Sequence, residues 1–258
     1  MKYAIMSDVH ANPAALETAL FDARRRKCQR FIMLGDTTGY GYDPVGAFNL
    51  VKQNFDVVLI GNHDSACVGK EPPLQMMMNP NYDLDLSARD LLSADSRAYL
   101  ASREYLFAED SFACVHADFP TPQAWRYIMT EVDATINFSS RSEKLLFCGH
   151  THHAAVWEQN AKGSVKEHFE KRLSKPAIAA ESISFKVNNN SRYIVNVGSV
   201  GYPRNDLCST YCIYDSDLQR ITLRRLPFDF KTYIEDMETS GVGLPPWLVA
   251  ILRAALAL

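Results

Sequence analysis

A chain of 258 residues with 47% hydrophobic and 22% charged side chains has enough apolar material for one sizeable core. Its formal net charge of −3 argues against stable nucleic-acid binding and against attachment to an anionic membrane surface, both of which need a basic face. The six cysteines are scattered without a C-x-x-C pair, and several sit inside apolar runs, as expected of a reduced, cytoplasmic protein.

In chain order, MKYAIMSDVH lacks the apolar core of a signal peptide and reads instead as a strand, KYAIMSD (2–8). NPAALETALFDARRRK (12–27) follows as a helix, with Asn12 as N-cap, Pro13 at the first helical position and a basic last turn. RFIMLGD (30–36) is a second strand, DPVGAFNLVKQN (43–54) a helix capped by Asp43, and DVVLIGNHD (56–64) a third strand. LSARDLLSADSRAYLAS (86–102) carries a helical pattern, and SFACVHAD (111–118) and LLFCGHTH (145–152) are further strands.

AAVWEQ (154–159) and SISFKV (182–187) are expected strands, with KGSVKEH as a polar connector between them. SRYIVNVGSVG (191–201) is another strand, and STYCIYD (209–215) with RITLRRL (220–226) flanks a DSD turn as a hairpin. FDFKTYIEDMETS (228–240) is helical. The terminal PPWLVAILRAALAL is interrupted by Arg253 and shorter than the roughly 20 residues that span a bilayer. It is expected to be a helix that docks on the body or on a second subunit, and so a route to a homo-oligomer. The expected organisation is α/β, one domain over 1–258 with 228–258 as a helical extension, built on two packed sheets flanked by helices.

Chemistry-bearing residues recur at the strand ends: Asp8 and His10, Gly35-Asp36, Gly61-Asn62-His63-Asp64, His116, and Gly149-His150-Thr151-His152. Ligands of open α/β sheets gather at the carboxyl ends of strands, so these groups are expected on one rim. Asp8/His10 and His150/His152, spaced i, i+2, point the same way if the chain stays extended there. The set is imidazole, carboxylate and one amide without thiolate, which suits Mn²⁺, Fe or Zn²⁺. Its size suits two ions sharing a carboxylate, about 3.5–4 Å apart as in two-metal hydrolases.

The ordered series D-x-H, G-D, G-N-H-D, H and G-H-x-H resembles the calcineurin-like metallophosphoesterase superfamily. NVGSVGYPRND (196–206) is similar to its small bacterial and archaeal phosphoesterase branch, so the matching motifs span residues 8–206. The resemblance implies a four-layer α/β/β/α sandwich of two mixed β-sheets flanked by helices. It also implies one ion on Asp8, His10, Asp36 and His152, and another on Asp36, Asn62, His116 and His150, with Asp36 bridging. Mn²⁺ is the first choice of metal, ahead of Fe, Zn²⁺ and Ni²⁺. A metal-bridging hydroxide would attack a small-molecule phosphate ester in line, with His63 as the acid and Asp64 orienting it. Arg204 is the candidate for a phosphoryl oxygen.

The protein-phosphatase branch carries an arginine in G-D-x-V-D-R-G, where this chain has GDTTGYGYDP. That departure favours a phosphodiesterase over a phosphomonoesterase acting on nucleotides or phosphoproteins. A metal-binding interaction scaffold of the same fold is disfavoured by the presence of His63. His153 is expected on the opposite face from the ligands and His168 on a charged surface, while Cys114 and Cys148 are core residues. Met76–Met78 are expected to serve packing, and Tyr40, Tyr42 and Tyr82 are candidate substrate contacts.

Overall fold

The β-rich runs pair into two six-stranded sheets in a computed structural model, which describes residues 1–70, 82–109, 111–169, 179–204 and 208–241. The strands are β1 (Lys2–Met6), β2 (Arg30–Met33), β3 (Val57–Val58), β4 (Leu106–Glu109), β5 (Phe112–Val115), β6 (Leu145–Cys148), β7 (Ala155–Gln159), β8 (Val165–His168), β9 (Glu181–Lys186), β10 (Arg192–Asn196), β11 (Cys208–Asp215) and β12 (Arg220–Pro227). One sheet runs β3-β2-β1-β11-β12-β9 and the other β4-β5-β6-β10-β7-β8. Parallel pairing joins β1 to β2 and β2 to β3, and also β5 to β6 and β6 to β10. The remaining pairs are antiparallel, so both sheets are mixed.

Residue alternation within β1 shows how the layers form. Tyr3 and Ile5 enter the core between the sheets with Phe112, Phe147 and Leu223, whereas Ala4 and Met6 face the opposite way. That outer face is covered by α1 (Pro13–Arg25) and α2 (Pro44–Asn54) through Leu16, Leu20, Ala47 and Val51. The other sheet is covered by Ala134 and Phe138 of a helix at Glu131–Ser140. The result is the expected α/β/β/α sandwich. Asn12 and Asp43 cap α1 and α2 as expected, accepting from the amides of Ala15 at 3.1 Å and Gly46 at 2.7 Å.

Several elements differ from expectation. The helix expected over 86–102 is two, Tyr82–Leu91 and Ala94–Ala101, because Ser93 caps a new start by accepting from Ser96 N. The segment 56–64 is strand only at Val57–Val58, and then turns into a short helix at Asn62–Cys67. These helices, with the two that follow, are numbered α3 (Asn62–Cys67), α4 (Tyr82–Leu91), α5 (Ala94–Ala101), α6 (Glu131–Ser140) and α7 (Phe230–Ser240). The expected connector KGSVKEH contains a tight turn and then β8, which pairs with β7. Neither β4 nor α6 was anticipated.

All six cysteines are free thiols. Among the described residues, no helix is long and apolar enough to cross a membrane. The Met76–Met78 segment, the side chain of Tyr82 and the apolar stretch at 242–258 lie outside the described residues.

Candidate metal centre

The strand-end residues converge on one edge shared by the two sheets. Asp8 and His10 follow β1, Asp36 follows β2, Asn62 opens α3, His116 follows β5, and His150 and His152 follow β6. All seven are buried, none more than 8% exposed. The chain is not extended there as the i, i+2 spacing suggested. Asp8, His10, Asp36, His150 and His152 take left-handed backbone conformations, with φ between 47° and 67°. Each such non-glycine residue costs about 1–2 kcal/mol, a strain typical of functional sites.

Backbone hydrogen bonds hold these turns: Asp8 N to Gly35 O at 3.0 Å, His10 N to Asp36 O at 3.0 Å and Gly149 N to His116 O at 2.8 Å. Gly149 is needed for the close approach of the two sheets, since a Cβ there would lie 2.5 Å from Asp8 Oδ2 and 2.1 Å from Ser7 Oγ.

Each aspartate is held through one oxygen and presents the other. Asp8 Oδ2 accepts from His150 N at 3.0 Å, and Asp36 Oδ1 accepts from His63 N at 2.9 Å. Asp8 Oδ1 then lies 3.2 Å from His152 Nε2 and 3.6 Å from His10 Nε2, while His10 Nε2 and His152 Nε2 are 2.9 Å apart. Asp36 Oδ2 lies 3.2 Å from His116 Nε2 and 3.7 Å from His10 Nε2. Asn62 Oδ1 is 3.0 Å from His116 Nε2. Potential ligand atoms therefore form one group from Asp8, His10 and His152 and another from Asp36, His116 and His150, with Asp36 also close to His10 and His63.

The protonation of the imidazoles decides what fits between them. Burial pushes His10 and His150 down to about 3, and burial followed by the charge of Arg204 lowers His152, so these rings are neutral near pH 7. Their outer nitrogens face carbonyls: His10 Nδ1 to Thr38 O at 3.1 Å, His152 Nδ1 to Tyr202 O at 2.8 Å, and His150 Nε2 to Trp125 O at 2.9 Å. A carbonyl requires a donor, so each ring spends its single proton outward and turns a lone pair inward.

His10 Nε2 and His152 Nε2 thus confront each other as two acceptors, beside Asp8 Oδ1 and Asp36 Oδ2, which are buried without a hydrogen-bond partner. Acceptors packed this way fit a cation. His116 differs, for although burial lowers it, its carboxylate neighbours, Asp36 first, raise it, and its Nε2 lies 3.2 Å from Asp36 Oδ2 and 3.0 Å from Asn62 Oδ1; a proton and a metal would compete for that atom.

His63 projects from the start of α3 with its ring 4.9 Å from that of His10. Asp64, the carboxylate expected to orient it, does not touch its ring. Its oxygens instead accept from Thr37 N, Thr38 N, Thr38 Oγ1 and Gly61 N at 3.0–3.3 Å, which ties the turn after β2 to α3. As the residue after His63 on a helix, Asp64 points away from it. Burial and the charge of Asp36 push Asp64 up to about 6.

The partner of His63 is Asp85 of α4, whose Oδ1 lies 2.7 Å from His63 Nδ1. Burial disfavours the imidazolium, but the charge and hydrogen bond of Asp85, joined by Tyr40 and Asp36, together outweigh it and hold His63 well above its ordinary value. Asp85 was missed because it stands just before the helix expected over 86–102, whereas the helix starts at Tyr82 and includes it. Its signal was position, on one helical stripe with the buried Ala88 and Leu92. Gly39 completes the pocket, at φ +87°, where a Cβ would stand 2.7 Å from His63 Nδ1 and 2.9 Å from Asp85 Oδ1.

The other expected residues fall around this core. Arg204 is half-buried, close enough for its charge to lower both His152 and His153. Tyr40 is buried, with its ring 4.5 Å from His63 and 4.7 Å from His10, and stacks on Tyr202. Tyr42 points to α7, where it bonds Asp236. His153 joins neither ligand group, and His168 Nε2 lies 2.7 Å from Glu158 Oε2 at the sheet edge.

Two mixed sheets with a shared, buried His/Asp acceptor cluster at their carboxyl ends define a metal-dependent phosphoric ester hydrolase of the metallophosphoesterase type. The chain belongs to the calcineurin-like phosphoesterase superfamily, whose domain model matches residues 1–218. It is similar to the crystal structure of a metallophosphoesterase from Sphaerobacter thermophilus, at 32% identity and a TM-score of 0.79, covering 98% of both chains. An uncharacterized protein of Methanocaldococcus jannaschii is 27% identical over 251 residues, 95% of this chain and 94% of that protein.

Proposed function

We propose that the chain is a dinuclear-metal phosphodiesterase acting on small-molecule phosphate esters. The observation that carries this reading is the confrontation of neutral imidazole lone pairs with two unpartnered carboxylate oxygens. Asp8, His10, Asp36 and His152 would hold one divalent ion, and Asp36, Asn62, His116 and His150 the other. The oxygen-and-imidazole donor set suits Mn²⁺, with Fe, Zn²⁺ and Ni²⁺ as alternatives for the same donors. When bound, the two ions supply the Lewis acidity that phosphoryl transfer to water needs.

The protein's own groups supply the rest. Outward hydrogen bonds to Thr38, Tyr202 and Trp125 carbonyls fix the ligand rings before any ion arrives. His63, kept protonated by Asp85, donates through Nε2 to the departing oxygen, a role worth about 10²–10⁴-fold in general acid catalysis. Asp64 holds the loop that carries Thr37 and Thr38, and so keeps His10 in register. Arg204, beside His152, binds a phosphoryl oxygen, a task for which a guanidinium is well shaped. Tyr40, wedged between His10 and His63, occupies the stretch in which the protein-phosphatase arginine is missing, which supports diesters over phosphoproteins. Six free thiols, four of them on buried strands, support a cytoplasmic location.

Paired chromogenic substrates test the preference. Bis(p-nitrophenyl) phosphate should be turned over more efficiently than p-nitrophenyl phosphate by Mn²⁺-loaded protein. Dominant monoester turnover would overturn the diester preference, and turnover of neither would overturn the hydrolytic reading.

A further inference from the structure

One flank of the centre is built by the loop that follows β5, and its construction goes beyond what holding metals requires. Asp118, 1% exposed, takes both Nε and Nη2 of Arg126, at 2.9 and 2.8 Å. That clamp fixes the two residues on either side of Arg126. Trp125 is 6% exposed and left-handed at φ 52°, with its carbonyl on His150 Nε2 and its ring 5.9 Å from that of His116. Tyr127 lies on His150, with centroids 4.5 Å apart and planes 22° from parallel.

Tyr127 is nevertheless 49% exposed. With one face covered by His150, the surface it shows to solvent is its other face and its edge. A residue needed only for packing would be buried. A surface residue of no consequence would not be locked flat against an imidazole at the mouth of the site.

From this we infer that Tyr127 is a stacking platform for a flat aromatic ring carried by the substrate. The class of substrate is then a phosphate ester bearing a planar group, a nucleobase or an aryl ring, with its phosphate at the centre and its ring on Tyr127. Aromatic faces are suited to this because stacking tolerates any planar ring and adds affinity without competing for the phosphate. The proposal rests on the phosphoesterase reading and assigns its selectivity to the His116/His150 flank.

Phosphonates test it, because ester hydrolysis does not cleave their C–P bond. Methylphosphonate, phenylphosphonate and the methylene-phosphonate analogue of AMP are titrated calorimetrically into Mn²⁺-loaded protein, with metal content measured in parallel. At least one ring-bearing phosphonate should bind about 5-fold or more tightly than methylphosphonate, the lower end of base–aromatic stacking. Tyr127→Leu should remove that advantage and Tyr127→Phe should keep it. A gain for the nucleoside analogue alone identifies a nucleobase, and a gain for both identifies any planar ring. Equal affinity for all three, or equal loss for all three in Tyr127→Leu, would overturn the platform and leave the phosphoesterase reading standing. Binding of none by protein that turns over bis(p-nitrophenyl) phosphate would overturn the platform alone, and binding of none by protein that turns over neither chromogenic ester would overturn both.

Discussion

Replacing Asp85 by asparagine removes one negative charge 2.7 Å from His63 Nδ1 and keeps the side-chain shape. Both residues are buried, so no water can take over the role of the carboxylate. Without that charge, burial is the largest influence left on His63, and it favours the neutral ring. The proton at Nε2 is then held less firmly, with only Tyr40 and Asp36 still opposing burial, and the general-acid contribution of about 10²–10⁴-fold falls. The loss should depend on the leaving group. Esters of poor leaving groups, such as alkyl phosphates, should show the whole drop in kcat. Esters of p-nitrophenol, which leaves without a proton, should lose less than about tenfold. The assay is kcat across esters of graded leaving-group acidity, with metal content measured on the same samples. An equal loss for every ester, or loss of metal, would refute the pairing and make Asp85 a packing residue.

Asp36→Asn should lower the content of both metals, because Asp36 Oδ2 reaches toward both groups, and should nearly abolish turnover; elemental analysis of the purified variant checks it. Gly39→Ala should reproduce the leaving-group selectivity of Asp85→Asn with metals retained, since its Cβ would collide with His63 and Asp85. Chelation should lower the melting temperature by about 10 °C in thermal scans if the metal concentration is about a thousandfold above Kd, a linkage of about 4 kcal/mol.

Away from the centre, Asp22 on α1 takes Arg224 Nε and Nη2 at 2.8 and 3.0 Å, and Tyr211 Oη at 2.7 Å. These contacts outweigh burial and lower its pKa, so its contribution is present above the unfolded value and lost as pH falls through the folded one. Asp22→Asn should therefore cost about 1–3 kcal/mol at pH 7, below the usual loss for a fully buried pair, and progressively less as pH falls through the lowered value of Asp22, as read from denaturant titrations.

What the sequence made legible was the layer order and the set of residues at the rim, because both follow from where apolar strands stop. β1 is followed by Asp8 and β6 by Gly149-His150, and the alternation inside each strand assigns its two faces. The geometry beyond the last strand residue was not legible in the same way. The period of two ends with the strand, and Asp8, His10, His150 and His152 lie in left-handed turns that no alternation predicts. The carboxylate for His63 was misassigned for a related reason. Adjacency in G-N-H-D suggested Asp64, but the turn opening α3 directs Asp64 to the Thr37–Thr38 backbone and leaves His63 to a helix 22 positions away. Short elements such as α6 were missed although a capping box, Thr130 with Asp133, marked its start.

The central claim is that the buried acceptors form two adjoining metal sites with Asp36 between them. Anomalous scattering from crystals grown with Mn²⁺ tests it most directly. Two peaks are predicted, one among Asp8, His10 and His152 and one among His116, Asn62 and His150, each also in contact with Asp36. A single peak, or a peak coordinated by His63, would contradict it.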